Sequence, residues 1–218
     1  MTQSRKLNAL CFDKVEIFLN SKQLIAIDEC IQAGEVLTVM GPSGSGKSTL
    51  LAYAAGFLDP IFKVTGKVIL GEQVLTDLPA ENRNVGLLFQ DALLFPHMSV
   101  GQNLAFAIPA SSAASSAARR ELVQSALAEA DLHGMIDRDP ATLSGGQKAR
   151  VALMRVLLAE PNALLLDEPF SKLDASLRQQ IRKFVFTEAK KRNLPILLVT
   201  HDQQDASEAG GKIITVKH

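Results

Sequence analysis

The sequence predicts an α/β protein with a mixed central sheet, a separate antiparallel β layer and an inserted helical subdomain. Three observations predict it. Apolar runs without alternation recur along the chain, runs of period two cluster in its first third, and helical stripes fill the intervals. With 218 residues, 47% hydrophobic and 21% charged, the chain can bury a sizeable core in one domain.

The period-two runs come first. Val15, Ile17 and Leu19 alternate with Glu16 and Phe18, and residues 24–27 follow a polar turn. Val64, Gly66, Val68 and Leu70 alternate again before Gly71. Such half-buried strands suit an antiparallel layer. The runs at 36–40, 85–89, 163–166 and 196–199 lack alternation, as strands covered by helices on both faces do. Leu173, Leu177, Ile181 and Phe184 form one helical stripe, and Leu122, Val123, Ala126, Leu127 and Ala130 another. The Ser/Ala run 110–118 reads as a flexible connector within the helical insert; alternatively, its end extends the following helix.

Bulk composition excludes several classes. The 23 basic and 23 acidic side chains cancel, so no basic field invites nucleic acid and none repels it, and the charge itself decides little. Cys11 and Cys30 are too few and too far apart for a metal cluster or a disulfide framework, and read as separate thiols in a reducing cytosol. The first ten residues lack the apolar stretch of a secretory signal. No run approaches the roughly 18 apolar residues of a membrane span. A soluble protein that meets a membrane through a partner is expected.

Gly41-Pro42-Ser43-Gly44-Ser45-Gly46-Lys47-Ser48 fits G-x-x-x-x-G-K-[ST], after an apolar strand and before a helix that includes Thr49. Its glycines let the backbone curl until successive N–H groups face phosphate oxygens, and the helix N-terminus adds its positive end. Lys47 is placed to reach the β- and γ-phosphates, and the Ser48 hydroxyl to bind Mg²⁺. Residues 164–166 end in Asp167 and Glu168. Strand C-termini in a parallel sheet converge on the ligand crevice. Asp167 there suits the Mg²⁺ shell, and Glu168 suits a general base for the attacking water.

To this point the motifs define only a P-loop NTPase. Leu143-Ser144-Gly145-Gly146-Gln147, shortly before the acidic strand, resembles the signature motif of ABC ATPases. The resemblance extends from about residue 9 to about residue 216. It implies a Q-loop at Gln90, contacting Mg²⁺ and relaying to a permease. It also implies a D-loop at residues 171–174 and a γ-phosphate switch at His201, so that Glu168, His201 and Lys47 carry the chemistry. Gly41 to Thr49 and Gln90 would hold ATP. Ser144, Gly145, Gly146 and Gln147 would close on the nucleotide of a second copy, in a head-to-tail dimer.

The segment 94–100 is similar to ATPases of bacterial importers of thiamine, iron, sulfate and polyamines. Import of a small solute or ion is therefore expected, with export the alternative and a non-transport ABC ATPase the remote one. By the same resemblance, residues 1–90 and 143–218 form the catalytic core, residues 91–142 the helical insert that meets the permease, and a C-terminal regulatory domain is absent. The expected location is the cytoplasmic face of the inner membrane. One departure stands out. The family usually stacks adenine on an aromatic ahead of the phosphate loop, and here only Phe12 and Phe18 are candidates, since the one tyrosine, Tyr53, comes after it.

Overall fold

The computed structural model describes residues 9–113 and 115–216. The chain begins with a hairpin, β1 (Leu10–Leu19) and β2 (Lys22–Ile31), turning at Asn20 and Ser21. Both turn residues have positive φ, 49° and 67°, the sense of twist that two-residue hairpins require. β4 (Lys63–Leu70) pairs with the other side of β1, and the short β5 (Gln73–Val74) completes an antiparallel sheet ordered β2-β1-β4-β5. Leu10, Phe12, Val15 and Ile17 of β1 are buried, so the alternation in the sequence marks the covered face. A bulge between Phe12 and Val15 breaks the register.

The second sheet has five strands in the order β6-β7-β8-β3-β9. β3 (Val36–Met40) lies between β8 (Ile196–Thr200) and β9 (Lys212–Thr215), and β7 (Ala163–Asp167) pairs with β8, all three pairings being parallel. β6 (Val85–Leu88) forms one edge. β8 is buried at all five positions and β7 at four of five, which is why neither alternates. The helices are α1 (Lys47–Ala55), α2 (Val100–Ala107), α3 (Ser116–Glu129), α4 (Gly145–Leu158), α5 (Ala175–Lys191) and α6 (Gln203–Ala209).

Among the described residues the chain divides into two units. One takes residues 9–87, 162–168 and 184–216, and the other 88–161 and 169–183. The first holds one hydrophobic core in which Leu10, Phe12, Ile17, Leu50, Val68 and Leu165 are all but fully buried. In the second, the side chain of the fully buried Asn103 donates to the carbonyls of Phe95, Met98 and Ser99 and accepts from the Phe95 N–H. Arg155 of α4 donates to the carbonyls of Ala92 and Leu93, so a non-helical stretch is pinned from two helices.

Two expectations need correction. Cys11 and Cys30 are not separate thiols: they form a disulfide, Cα to Cα 4.0 Å, across the β1–β2 ladder. Their separation of 19 residues looked too long for pairing, but the hairpin folds it back on itself. The described residues of the Ser/Ala run, 110–113 and 115–118, also hold more regular structure than a connector. Residues 110–112 form a 3₁₀ turn, and Ser115 Oγ accepts from the Ala118 N–H and caps α3. Its end belongs to the helix, as the alternative reading had it.

Candidate functional site

The loop after β3 owes its shape to glycine. Gly44 and Gly46 have φ of 80° and 86°, the left-handed region that disfavours a side chain. A Cβ on Gly46 would lie 3.1 Å from Leu24 Cβ and 3.5 Å from Ile25, because β2 packs against the loop here. Gly46 is also the N-cap of α1, and so the helix begins without a side-chain cap and without an acid in its first turn. Its leading N–H groups are thus unshared with any side chain of the cap. Ser45 Oγ is buried with no hydrogen-bond partner among the described residues. Buried Lys47 curls over the loop, Nζ donating to the carbonyls of Gly41 at 2.9 Å and Pro42 at 2.8 Å. Pro42 and Ser43 are exposed, and Thr49 is half-buried. A loop whose lysine must settle for its own carbonyls, with an uncapped helix behind it, fits an anion of phosphate type.

Ser48 Oγ donates to Asp167 Oδ1 at 3.1 Å, joining α1 to the end of β7. Burial raises the Asp167 pKa above the usual carboxylate range, and the negative charge of Glu168 adds to the rise. The Ser48 hydrogen bond and the Lys47 charge oppose it. A carboxylate costly to ionise, beside a hydroxyl, is a suitable pair for a hard cation. Among the described residues no group of three or more His, Cys, Asp or Glu could hold a metal. A hydroxyl beside one carboxylate suits Mg²⁺, which commonly takes one or two carboxylates and fills its shell with phosphate oxygens and water.

Glu168 follows Asp167 with φ of 45°, left-handed for a residue other than glycine. Its N–H donates to the Val199 carbonyl at 2.9 Å, and Oε2 lies 3.0 Å from His201 Nδ1. The parallel register explains the meeting: Asp167 is opposite Val199, so the residues just beyond both strand ends are neighbours. Strained backbone of this kind persists where the surroundings over-determine it. His201 is in turn held by residues that the sequence reading passed over. Buried Thr200 donates through Oγ1 to Asp205 Oδ2 at 3.1 Å and accepts from the Asp202 N–H at 3.0 Å. Asp202 caps α6 through the N–H groups of Gln204 and Asp205. The one signal in the sequence was Asp202 ahead of a helical stretch, an N-cap pattern.

The remaining candidates lie in the second unit. Ser144 is the exposed N-cap of α4, and its Oγ accepts from the Gln147 N–H. The Gln147 Oε1 accepts in return from the Ser144 N–H at 3.0 Å, a capping box. A Cβ on Gly146 would lie 2.4 Å from Leu177 Cδ1, so α4 and the start of α5 approach closely there. A Cβ on Gly145 would meet nothing nearer than 4.0 Å, leaving an open face. Gln90 is exposed, and its neighbour Asp91 accepts from Lys172 Nζ with both oxygens at 2.6 Å. Gly41 to Thr49, Asp167, Glu168 and His201 thus share one unit, and Gln90 and residues 144–147 the other. Of the two aromatic candidates, Phe12 is 1% exposed within the core and has no face to offer a base, whereas Phe18 is half-buried on β1. No helix among the described residues is long and apolar enough to cross a membrane.

Residues 24–171 match the ABC transporter family (ABC_tran). The chain is 49% identical over 197 residues to the uncharacterized ABC transporter ATP-binding protein YnjD of Escherichia coli K12, covering 90% of each. It is 42% identical over 187 residues to the Fe(3+) ions import ATP-binding protein FbpC of Agrobacterium fabrum, covering 86% of this chain and 52% of that one. To the maltose/maltodextrin import ATP-binding protein MalK of Vibrio cholerae it is 40% identical over 190 residues, 87% of this chain and 50% of the relative. The chain therefore spans most of YnjD but about half the length of the two import proteins.

Proposed function

Because the chain belongs to the family of ABC transporter ATP-binding subunits, ATPases coupled to transport, we propose how its residues divide that work and where it is done. The loop Gly41–Thr49 grips the triphosphate, with the Lys47 amine exchanging its two carbonyl partners for phosphate oxygens. Ser48 and Asp167, with Gln90, would hold Mg²⁺, and the ion would supply charge neutralisation on the phosphates. Glu168 takes a proton from the attacking water. His201, 3.0 Å from Glu168, positions that carboxylate and faces the γ-phosphate. The observation that carries this reading is a meeting of residues 119 positions apart, Ser48 and Asp167 at 3.1 Å, beside the Glu168–His201 pair.

Two copies assemble head to tail on ATP, each lending Ser144, Gly145, Gly146 and Gln147 to the nucleotide of the other. The open face at Gly145 and the N-terminus of α4 suit an incoming phosphate. The single domain divides its labour: residues 1–90 and 143–218 bind and hydrolyse, and residues 91–142 with the Q-loop carry the movement to a permease. The protein then sits on the cytoplasmic face of the inner membrane. The likeness to the import ATP-binding proteins FbpC and MalK supports import, of a small solute or ion.

The test is phosphate release by the purified chain, with and without its permease partner. Replacing Glu168 by Gln should leave MgATP binding intact and slow hydrolysis by about 10²- to 10⁴-fold, the usual worth of a general base. Normal turnover in that variant would remove Glu168 from the role.

A further inference from the structure

The phosphate-loop helix α1 is anchored at its far end by a residue that no motif includes. α1 has nine residues, no side-chain cap at its start and no basic residue in its last turn. The complement to its negative C-terminal end comes instead from Arg83, only 7% exposed. Arg83 Nη1 donates to the carbonyls of Tyr53 at 2.6 Å and Ala54 at 3.1 Å, and Nε donates to Leu78 at 3.0 Å. The carbonyl of Ala52 is taken by the N–H groups of Gly56 and Phe57, and Gly56 also reaches Tyr53. Each of the carbonyls 52–54 therefore has a partner, an arrangement opposite to that at the helix start.

Glycine at position 56 is what admits the guanidinium. Its φ is 92°, and a Cβ there would stand 2.6 Å from Arg83 Nε and 2.9 Å from Ala80 Cα. Tyr53 is tied down separately, its hydroxyl donating to the Gly66 carbonyl at 3.0 Å. An arginine that crosses to a helix terminus in this way fixes the helix along its own axis. At the other end of that axis lie Lys47 and Ser48.

We propose that Arg83 is a positioning residue for triphosphate binding, acting through the C-terminus of α1 and enabled by the missing side chain of Gly56. The proposal rests on the reading of residues 41–48 as the phosphate cradle. Without the guanidinium, the last carbonyls lose their donors, the negative end of the helix loses its countercharge, and the N-terminal N–H groups lose their fixed distance from the ligand.

The experiment measures the calorimetric dissociation constant for MgATP in the full-length chain, at a temperature well below each variant's melting point. Arg83→Met should weaken binding by about 5- to 20-fold, with Arg83→Lys between it and wild type because one amine replaces a fork of donors. Gly56→Ala should weaken binding by displacing the same guanidinium. A residue that served stability alone would lower the melting temperature and leave the constant of the folded protein unchanged; that result overturns the proposal. If Arg83→Met fails to fold, Arg83→Lys decides by the same two outcomes. Lys47→Ala separates the two levels of the argument: unweakened binding there sinks the cradle reading itself, whereas weakened binding there with unaffected Arg83 variants sinks only the proposal.

Discussion

Gly44 and Gly46 have nearly the same φ but different neighbours, and the difference between their alanine variants can be worked out in advance. Each substitution forces a Cβ into left-handed backbone, at 80° and 86°, which costs about 1–2 kcal/mol. For Gly44 that is the whole effect, because its Cβ would find nothing within 4 Å. For Gly46 the new methyl lies 3.1 Å from Leu24 Cβ, and β2 must yield by a few tenths of an ångström. Overpacking of that kind adds about 1–3 kcal/mol, bringing Gly46→Ala to roughly 2–5 kcal/mol. At about 2–4 °C per kcal/mol for a chain of this size, Gly44→Ala should lower the melting temperature by about 2–8 °C and Gly46→Ala by about 4–20 °C. Thermal unfolding followed by circular dichroism, without nucleotide, reads both. Equal losses in the two variants would mean that Leu24 does not rest on the loop, and the packing argument would fail.

Two further outcomes follow from single contacts. The Asp167 pKa is raised in the fold, so the native state holds that proton more tightly than the unfolded chain does. Its contribution to stability is full below the ordinary carboxylate pKa and is lost as pH rises through the raised value. Asp167→Asn should therefore melt higher than wild type at pH 7 while losing Mg²⁺-dependent ATP binding; scanning calorimetry across pH reads this, and a gain that persists at pH 3 would contradict it. Cys30→Ser opens a cross-link spanning 19 residues, worth about 3 kcal/mol by chain entropy, and should melt roughly 6–12 °C lower than the oxidised wild type. Dithiothreitol should reproduce that loss in the wild type and add nothing in the variant, and identical melting of all samples would argue against a closed bridge.

What the sequence made legible was whatever repeats a local rule. The unbroken apolar runs became β3, β6, β7 and β8, and the alternating ones became β1 and β4, because burial on one face or two is written directly into the order of residues. The loop 41–48 and Asp167 could be named because glycines, a lysine and a strand-end acid are needed in a fixed order. Other features depended on register. Nothing in the neighbourhood of Cys11 announces Cys30 as its partner until the hairpin turn sets which residues face each other. Thr200 and Asp205 look like an ordinary strand end and helix until their 3.1 Å contact explains how His201 is presented. Arg83 is less visible still: its partners are carbonyls, and a carbonyl leaves no trace in the identity of Tyr53 or Ala54.

The central claim is that ATP is held between the phosphate loop of one copy and the α4 N-terminus of another, and light scattering after size exclusion tests it most directly. Glu168→Gln with MgATP should elute at twice the mass of the 23.5 kDa chain, and should return to a single chain when Ser144→Arg is added. A monomer in both samples, at concentrations where each binds ATP, or a dimer indifferent to nucleotide and to residue 144, would contradict the account.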